Sequence, residues 1–175
     1  MARIISIVGL KNAGKTTLAV ALSSEFVRKG RRVMMLKQAE QPNPAEVSGG
    51  ETGRYFVEGK SERVLVAGGT TRTIFDRGAA PSDPEALARR YLLDADIVLV
   101  EGFPAAALPK IEVYRREAGA APVYRSDLPG AADWLALVTD DEKLQAPIPV
   151  LRFRDTMWLH LLASLAWDRA KPLTG

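Results

Sequence analysis

Residues 3–17 read RIISIVGLKNAGKTT, a short apolar run that ends in a glycine-rich loop. The apolar run over 3–8 predicts a buried strand. Residues 9–16 fit the pattern Gly-x-x-x-x-Gly-Lys-Thr of phosphate-binding loops. Apolar residues at helical spacing follow between 18 and 26, so the loop joins a strand to a helix, as the mechanism of this motif requires. The stretch therefore predicts a site for a nucleoside triphosphate.

Each part of the loop has a predicted role. Backbone N–H groups at the start of a helix favour negative charge, and glycine lets the backbone approach a phosphate closely. We expect Lys15 to reach the β- and γ-phosphate oxygens as the catalytic side chain, and the Thr16 hydroxyl to sit on Mg²⁺. The predicted nucleotide contacts in this loop are Gly9, Asn12, Ala13, Gly14, Lys15, Thr16 and Thr17.

Working outward from the loop, strand and helix patterns alternate along the chain. The first of them form a strand–helix–strand opening, which is the crossover unit of a parallel sheet. We therefore predict a three-layer α/β fold of the P-loop NTPase type, with a mostly parallel central sheet and a single domain over 1–175. The predicted strands after the first are 32–37, 63–67, 71–75, 97–100, 110–115, 134–138 and 149–153, and the predicted helices are 14–29, 51–59, 83–93 and 156–169.

A phosphate loop of this kind normally works with a carboxylate at the end of a neighbouring strand. Glu101 directly follows the predicted strand 97–100, at the end where ligands of open parallel sheets bind. We expect it to hold Mg²⁺ together with Thr16. Glu51 is a further candidate metal ligand, and a simple cap at the start of a helix is an equal alternative for it.

Thr139-Asp140-Asp141 follows the predicted strand 134–138, where purine-recognising loops of P-loop proteins are found. An aspartate there can accept hydrogen bonds from the ring N–H and the amino group of guanine together. An ordinary aspartate turn explains the same residues. The sequence therefore leaves GTP and ATP both open, with Asp140 as the candidate base contact.

Composition excludes several kinds of site. The 175 residues include no cysteine and one histidine, which excludes disulfides and thiolate metal sites. The net charge is +3, and the basic residues are spread along the chain, so we expect no binding to nucleic acid. No apolar run approaches the length of a membrane span, so we expect a cytoplasmic protein that does not bind membranes. We interpret His160 as structural, and the pairs 89–90 and 115–116 as solvated arginines.

The motifs together resemble the MobB family of GTP-binding adaptors in molybdopterin-guanine dinucleotide biosynthesis. The likeness rests on the phosphate loop 9–17, on the segments 31–37 and 96–103, and on Pro-Lys-Ile-Glu-Val-Tyr-Arg at 109–115. The Glu-Gly-Phe and Pro-Lys-Ile-Glu-Val elements are more specific than the loop alone. The likeness covers most of residues 1–153.

The resemblance implies a homodimer that binds GTP with Mg²⁺, hydrolyses it weakly, and assists the molybdenum cofactor guanylyltransferase. It also places Glu51-Thr52 where the family usually has Asp-Ser. The chain departs from the family after its second strand, where Lys37-Gln38-Ala39 replaces a usual Lys-His followed by further His and Asp residues.

Two other functions use the same loop. A small-molecule kinase using ATP needs a lid with several arginines, and no arginine-rich lid pattern is visible. A nickel metallochaperone is disfavoured by the absence of cysteine and by the single histidine. Gln38 and Gln41 are the only candidates to orient an attacking water, which predicts slow hydrolysis.

Overall fold

A computed structural model of the protein describes residues 1–39, 53–77 and 83–174. By its internal packing the chain forms two compact units. The first comprises Met1–Gln38 and Asp83–Gly175, and the second comprises Ala39–Ser82. The first unit contains the phosphate loop and every candidate site residue that the structure describes.

The first unit is built on a sheet of seven strands within the described residues. The strands are short and mostly buried, as is typical of a sheet covered on both faces. Their bounds are β1 Arg3–Val8, β2 Val33–Lys37, β5 Ile97–Glu101, β6 Lys110–Tyr114, β7 Trp134–Thr139, β8 Val150–Arg152 and β9 Lys171–Pro172.

The strand order is β2-β5-β1-β6-β7-β8, and all of these neighbours are parallel. The chain leaves β1 toward β2 and β5 on one side and later fills β6 to β8 on the other. The carboxyl end of β1 is therefore the topological switch point, where open α/β sheets bind their ligands. The phosphate loop follows β1 directly, between the ends of β5 and β6.

Strand β9 completes the hydrogen bonding of β1. It pairs antiparallel with the amino half of β1, with Arg3 opposite Pro172 and Ile4 opposite Lys171. Strand β6 pairs with the carboxyl half, from Ser6 to Val8. Two short strands thus share one edge of β1.

Three helices cover the two faces of the sheet. Helices α1, Lys15–Arg28, and α3, Trp158–Arg169, pack on one face around Phe26, which is fully buried. Helix α2, Pro84–Tyr91, packs on the other face through Ala88. Asp83 caps α2 by accepting hydrogen bonds from the N–H groups of Glu85 and Ala86.

The described part of the second unit is a single turn of π-helix, Arg54–Glu58, and a hairpin. The hairpin pairs β3, Arg63–Gly68, with β4, Thr71–Asp76, antiparallel. Its apolar side chains are largely exposed within this unit: the exposed fraction is 59% for Leu65 and 49% for Ile74. Because a two-stranded hairpin is only marginally stable alone, these side chains favour a further contact.

The predicted fold class is confirmed, since a mostly parallel central sheet carries helices on both faces. Each of the eight predicted strands is present within one or two residues of its predicted bounds, but β9 was not predicted. Within the described ranges no helix has the length and apolar character needed to cross a membrane. The single nucleotide-binding domain over 1–175 stays a prediction.

Candidate functional site

The backbone of the phosphate loop needs left-handed conformations at three positions. Gly9, Asn12 and Gly14 have φ angles of 142°, 65° and 98°. A Cβ built at Gly9 would lie 2.3 Å from the carbonyl oxygen of Val113 in β6. Only glycine can therefore stand at Gly9, both for its backbone angle and for its close approach to the neighbouring strand.

Lys15, the first residue of α1, folds back over the loop. Its Nζ donates to the carbonyl oxygens of Gly9, at 3.1 Å, and of Leu10, at 2.7 Å. These contacts hold the ammonium group against the start of the loop. The N-terminus of α1 has no side-chain cap, and it begins at Gly14 in a left-handed conformation. The first turn of α1 therefore keeps backbone N–H groups available for an anion.

Thr16 and Glu101 meet at the β5 side of the loop. The Thr16 hydroxyl lies 2.9 Å from each carboxylate oxygen of Glu101. Glu101 is the last residue of β5 and is 8% exposed, and Lys37 at the end of β2 brings its Nζ to 3.4 Å from Oε1. A hydroxyl from the first turn of α1, a carboxylate from the end of β5 and a cation from the end of β2 thus lie together.

The turn after Glu101 is held by side chains from two other strands. Gly102 and Phe103 have positive φ angles of 100° and 53°. The Gln38 side chain packs on Gly102 and accepts a 2.6 Å hydrogen bond from the N–H of Phe103, while the Ser6 hydroxyl donates to the Gly102 carbonyl. Gln38 therefore has a structural role here, in fixing the turn that follows Glu101.

Arg115 lies on the β6 side of the loop, directly after that strand. A Cβ built at Gly14 would be 3.4 Å from Arg115 Nε and 3.8 Å from Cζ. The guanidinium carbon lies 5.0 Å from the ring centre of Phe153. Arg115 is therefore solvated only in part, because its Nε is buried against the loop while the side chain as a whole is 34% exposed.

Two aspartates follow β7, and the first of them joins the loop after β7 to the loop after β6. Asp140 Oδ1 accepts from the N–H of Arg116 at 3.2 Å. Asp141 Oδ1 accepts from the N–H of Lys143 at 2.9 Å, and the Asp141 N–H donates to the Thr139 hydroxyl. Asp141 thus takes part in a local turn, whereas the Asp140 carboxylate contacts another loop, so the choice between a base contact and a turn residue stays open for Asp140.

Two cavities lie beside these aspartates. Asp141 lines a cavity of about 430 Å³ together with Tyr114 and Lys143. Asp140 lines a smaller one of about 120 Å³ together with Arg152 and Phe153. Only the larger cavity lies in the size range of small-molecule sites, so Asp141, the neighbour of Asp140 in the predicted purine loop, becomes the stronger candidate for the base contact.

The wall of the site on the β6 side contains a fully buried carboxylate. Glu112 accepts hydrogen bonds from the N–H groups of Val123, at 2.6 Å, and Tyr124, at 2.8 Å. Burial raises the pKa of Glu112, although these two donors act in the opposite direction. Nearby, burial lowers the pKa of Lys110, against the opposing charge of Asp133. Lys110, the first residue of β6, donates to the carbonyls of Ala106 and Leu108 in the segment just before that strand.

The single histidine lies away from the phosphate loop. His160 on α3 has its Nδ1 3.3 Å from Glu25 Oε1 on α1. Burial raises the pKa of Glu25, but hydrogen bonds with His160 and Lys29 and the charges of Arg28 and Lys29 bring it below the ordinary value. His160 thus links two helices, in keeping with a structural role.

The structure brings the predicted residues into two groups. The loop residues 9–17 and Glu101 form one, and Asp140 lies in the loop after β7, two strands from β1. Glu51 and Gln41 lie outside the described residues. Across residues 1–39, 53–77 and 83–174, no cluster of three or more acidic or histidine side chains could hold a metal ion. A metal here would depend on Thr16 and Glu101.

Comparisons with known proteins agree on one family. The family model of molybdopterin guanine dinucleotide synthesis protein B, MobB, matches residues 4–140. The molybdopterin-guanine dinucleotide biosynthesis adapter protein of Haemophilus influenzae is 30% identical over 115 residues, which cover 65% of this chain. The alignment spans 64% of that relative's own length.

Solved structures share the fold. The crystal structure of Bacillus subtilis MobB superposes with a TM-score of 0.65 at 19% identity, covering 93% of this chain and 97% of that one. A MobB homologue from Bacillus stearothermophilus gives 0.63 at 22% identity with the same coverage. These likenesses extend the family relationship from the sequence to the architecture.

Proposed function

This chain belongs to the MobB family, and we propose that it is a GTP-binding accessory protein of molybdopterin guanine dinucleotide biosynthesis. The observation that carries the proposal is the phosphate loop at the switch point of the sheet, with Thr16 hydrogen-bonded to Glu101. A loop of this kind binds the phosphates of a nucleoside triphosphate. The accessory role comes from the family and from the relative named as an adapter protein.

In the proposed complex the loop residues 9–17 bind the phosphates. Backbone N–H groups of the loop and of the first turn of α1 donate to phosphate oxygens. Lys15 transfers its donors from the carbonyls of Gly9 and Leu10 to the β- and γ-phosphates. The Thr17 hydroxyl donates to the α-phosphate.

We further propose that Mg²⁺ is held beside Thr16. The hydroxyl of Thr16 and the carboxylate of Glu101 are oxygen donors at one point, which is the donor chemistry that Mg²⁺ prefers. Mg²⁺ keeps several waters in such sites, and Glu101 suits a role in holding one of them. When bound, the ion would neutralise phosphate charge. Glu51 remains a proposed further contact.

Base recognition is proposed for the aspartates after β7. Asp140 and Asp141 each use Oδ1 to accept a backbone N–H, which holds the carboxylate in a fixed orientation. A carboxylate in this position selects guanine, because guanine presents a ring N–H and an amino group on one edge. Asp141 faces the larger cavity, and Asp140 is the residue that the sequence predicts.

The proposed hydrolysis of GTP is slow, which suits an adaptor better than a metabolic enzyme. A fast GTPase orients its attacking water with a polar side chain, often a glutamine. Gln38 already uses its Oε1 to accept from the N–H of Phe103 and packs on Gly102. It therefore lacks the freedom of a water-orienting residue.

The proposed partners are a second copy of this chain and the molybdenum cofactor guanylyltransferase, in the cytoplasm. Exposed apolar side chains of the second unit, such as Leu65 and Ile74, support association with a second copy. Light scattering on the full chain measures the first association. A pull-down with purified guanylyltransferase, with and without GTP, measures the second.

Calorimetry tests the nucleotide site directly. We expect the full chain with Mg²⁺ to bind GTP and to bind ATP at least tenfold more weakly, and Lys15→Ala to bind neither detectably. Asp140→Asn and Asp141→Asn should each be titrated with both nucleotides, because losing a bidentate carboxylate removes the preference for GTP. Preference for ATP in the unmodified chain would favour a small-molecule kinase, and no binding at all would refute the proposal.

A further inference from the structure

We infer that Arg115 binds the phosphate chain of the nucleotide from the β6 side of the loop. This inference rests on the proposed nucleotide site and adds to it a residue that lies outside the loop motif. Within the phosphate loop, Lys15 is the residue expected to bring an ammonium group to the phosphates. Arg115 would supply a second cation on the flank opposite Glu101.

The position of Arg115 is the first argument. Strand β6 neighbours β1, and Arg115 directly follows it, so the side chain emerges at the same end of the sheet as the loop. Its Nε, Nη2 and Cζ all lie between 3.4 and 3.8 Å from the Cβ position of Gly14. The guanidinium therefore packs against the turn of the loop that begins α1.

The second argument is the unmet hydrogen-bonding capacity of the group. Arg115 Nε is buried and donates to no atom of the described residues. Among the described residues, the carboxylate paired with the guanidinium is that of Glu117, 3.7 Å from Nη1 and itself 74% exposed. Such an exposed pair is weak and easily exchanged. The guanidinium has five N–H donors, and among the described residues its acceptor is this one distant carboxylate. An arginine can bind phosphate through two parallel hydrogen bonds.

The third argument is that the guanidinium is held in place. Its Cζ lies 5.0 Å from the ring centre of Phe153, a contact that orients the planar cation by attraction to the aromatic ring. Phe153 is itself packed edge-on against Trp158, with ring centres 5.3 Å apart. An arginine placed in this way loses little side-chain freedom when an anion arrives, which favours binding.

The chemical class of the ligand follows from the site. A planar cation beside the phosphate loop recognises the oxygens of a polyphosphate and not the base. The contribution of Arg115 to binding should therefore grow with the number of phosphates. It should also appear with inorganic tripolyphosphate, which has no nucleoside.

The test compares Arg115→Met, Arg115→Lys and the unmodified chain by calorimetry, with GTP, GDP, GMP and tripolyphosphate. Methionine keeps a long apolar stem beside Phe153 but removes the charge. We expect Arg115→Met to weaken GTP and tripolyphosphate about 10- to 100-fold and GMP less, because hydrogen bonds between ionised groups are lost. Arg115→Lys should lie between the two. Arg125→Met is the matched control, since Arg125 is exposed and paired with Asp127, and it should change none of the four affinities.

Thermal unfolding of each variant separates binding from folding. If Arg115→Met lowers the affinity for all four ligands equally, or if Arg115→Lys loses as much affinity as Arg115→Met while its unfolding temperature falls, Arg115 is structural and the inference fails. Failure of the unmodified chain to bind tripolyphosphate also overturns it. A chain that binds tripolyphosphate through Arg115 but shows no preference for GTP would sustain the inference and refute GTP as the proposed ligand.

Discussion

Strands β5 and β6, which lie on opposite sides of β1, each carry a buried glutamate, and the two glutamates make different contacts. Glu101 ends β5 with the Thr16 hydroxyl at 2.9 Å and the Lys37 ammonium at 3.4 Å. Glu112 lies inside β6, and its carboxylate accepts two backbone N–H groups from residues 123 and 124. Within the described residues it has no cationic partner.

This difference teaches that burial alone does not mark a functional carboxylate. Glu101 stands at the end of its strand and faces groups that can exchange for a ligand. Glu112 stands in the middle of a strand and closes backbone donors that would otherwise be unpaired. Position along the strand therefore separates the candidate site residue Glu101 from the structural residue Glu112, although both have exposed fractions below a tenth.

The largest expected effect comes from breaking the contact between the loop and the β6 flank. In Gly9→Ala the new Cβ meets the Val113 carbonyl at 2.3 Å, at a φ of 142° that alanine avoids. We expect a loss of about 2–5 kcal/mol in the free energy of unfolding and no detectable nucleotide binding. Chemical denaturation and calorimetry measure the two effects.

Gly30→Ala is the control for this change. Gly30 also has a positive φ, of 74°, but a Cβ there meets no atom within 4 Å. It should cost only about 1–2 kcal/mol and leave nucleotide binding intact. Equal losses in the two variants would mean that backbone angle, and not the contact with β6, decides the shape of the loop.

A smaller effect is expected from neutralising the β5 flank. Glu101→Gln keeps the size of the side chain but removes the charge that the proposed Mg²⁺ site requires. We expect GTP affinity in the presence of Mg²⁺ to fall about 10- to 100-fold, and affinity in excess chelator to change little. Calorimetry under both conditions measures the difference. A loss of the same size with and without Mg²⁺ would assign Glu101 to the shape of the loop alone.

The smallest effect is expected from replacing the buried Glu112 of β6 by glutamine. The raised pKa of Glu112 means that the folded chain holds this proton more tightly than the unfolded chain. The stability contributed in this way is present at acid pH and is lost as pH rises through the folded pKa. Glu112→Gln should therefore be about 1 kcal/mol less stable at acid pH, because the amide accepts one hydrogen bond fewer, and the deficit should shrink as pH rises.

Urea denaturation of both proteins across that pH range measures the trend in the Glu112→Gln deficit. Nucleotide affinity serves as the second readout, and we expect it to stay unchanged. A deficit that grows with pH would show that the Glu112 carboxylate is stabilised when charged. A change in GTP affinity would place Glu112 in the site and remove the contrast with Glu101.

The main sheet and the position of Glu101 could be predicted because strong local patterns determine them. The loop pattern needs a strand before it and a helix after it, and an acid directly after an apolar run falls at the ligand end of a parallel strand. Strand β9 has only two residues, Lys171 and Pro172, and no periodicity can reveal so short a segment.

Arg115 was missed for a different reason. The sequence places Arg115 at the end of a strand, and the rule that identified Glu101 applies to it equally. The two contacts that place Arg115 beside the loop come from residues far away in sequence. One is Gly14, and the other is Phe153, which directly follows β8. Loop packing likewise decides that Asp141, and not Asp140, lines the larger cavity, and no local sequence preference reveals this.

The sharing of one edge of β1 by β6 and β9 has a consequence for synthesis on the ribosome. Once residues 97–114 have been made, β5 can pair with the whole of β1 and β6 with its carboxyl half. The second edge of the amino half waits for residues 171–173. At about 5–20 residues per second, the interval between Ile4 and Lys171 lasts roughly ten to thirty seconds. Throughout it the apolar start of β1 carries open hydrogen-bonding groups. Until β9 is made, that edge of β1 is open to chaperones and to pairing between nascent chains.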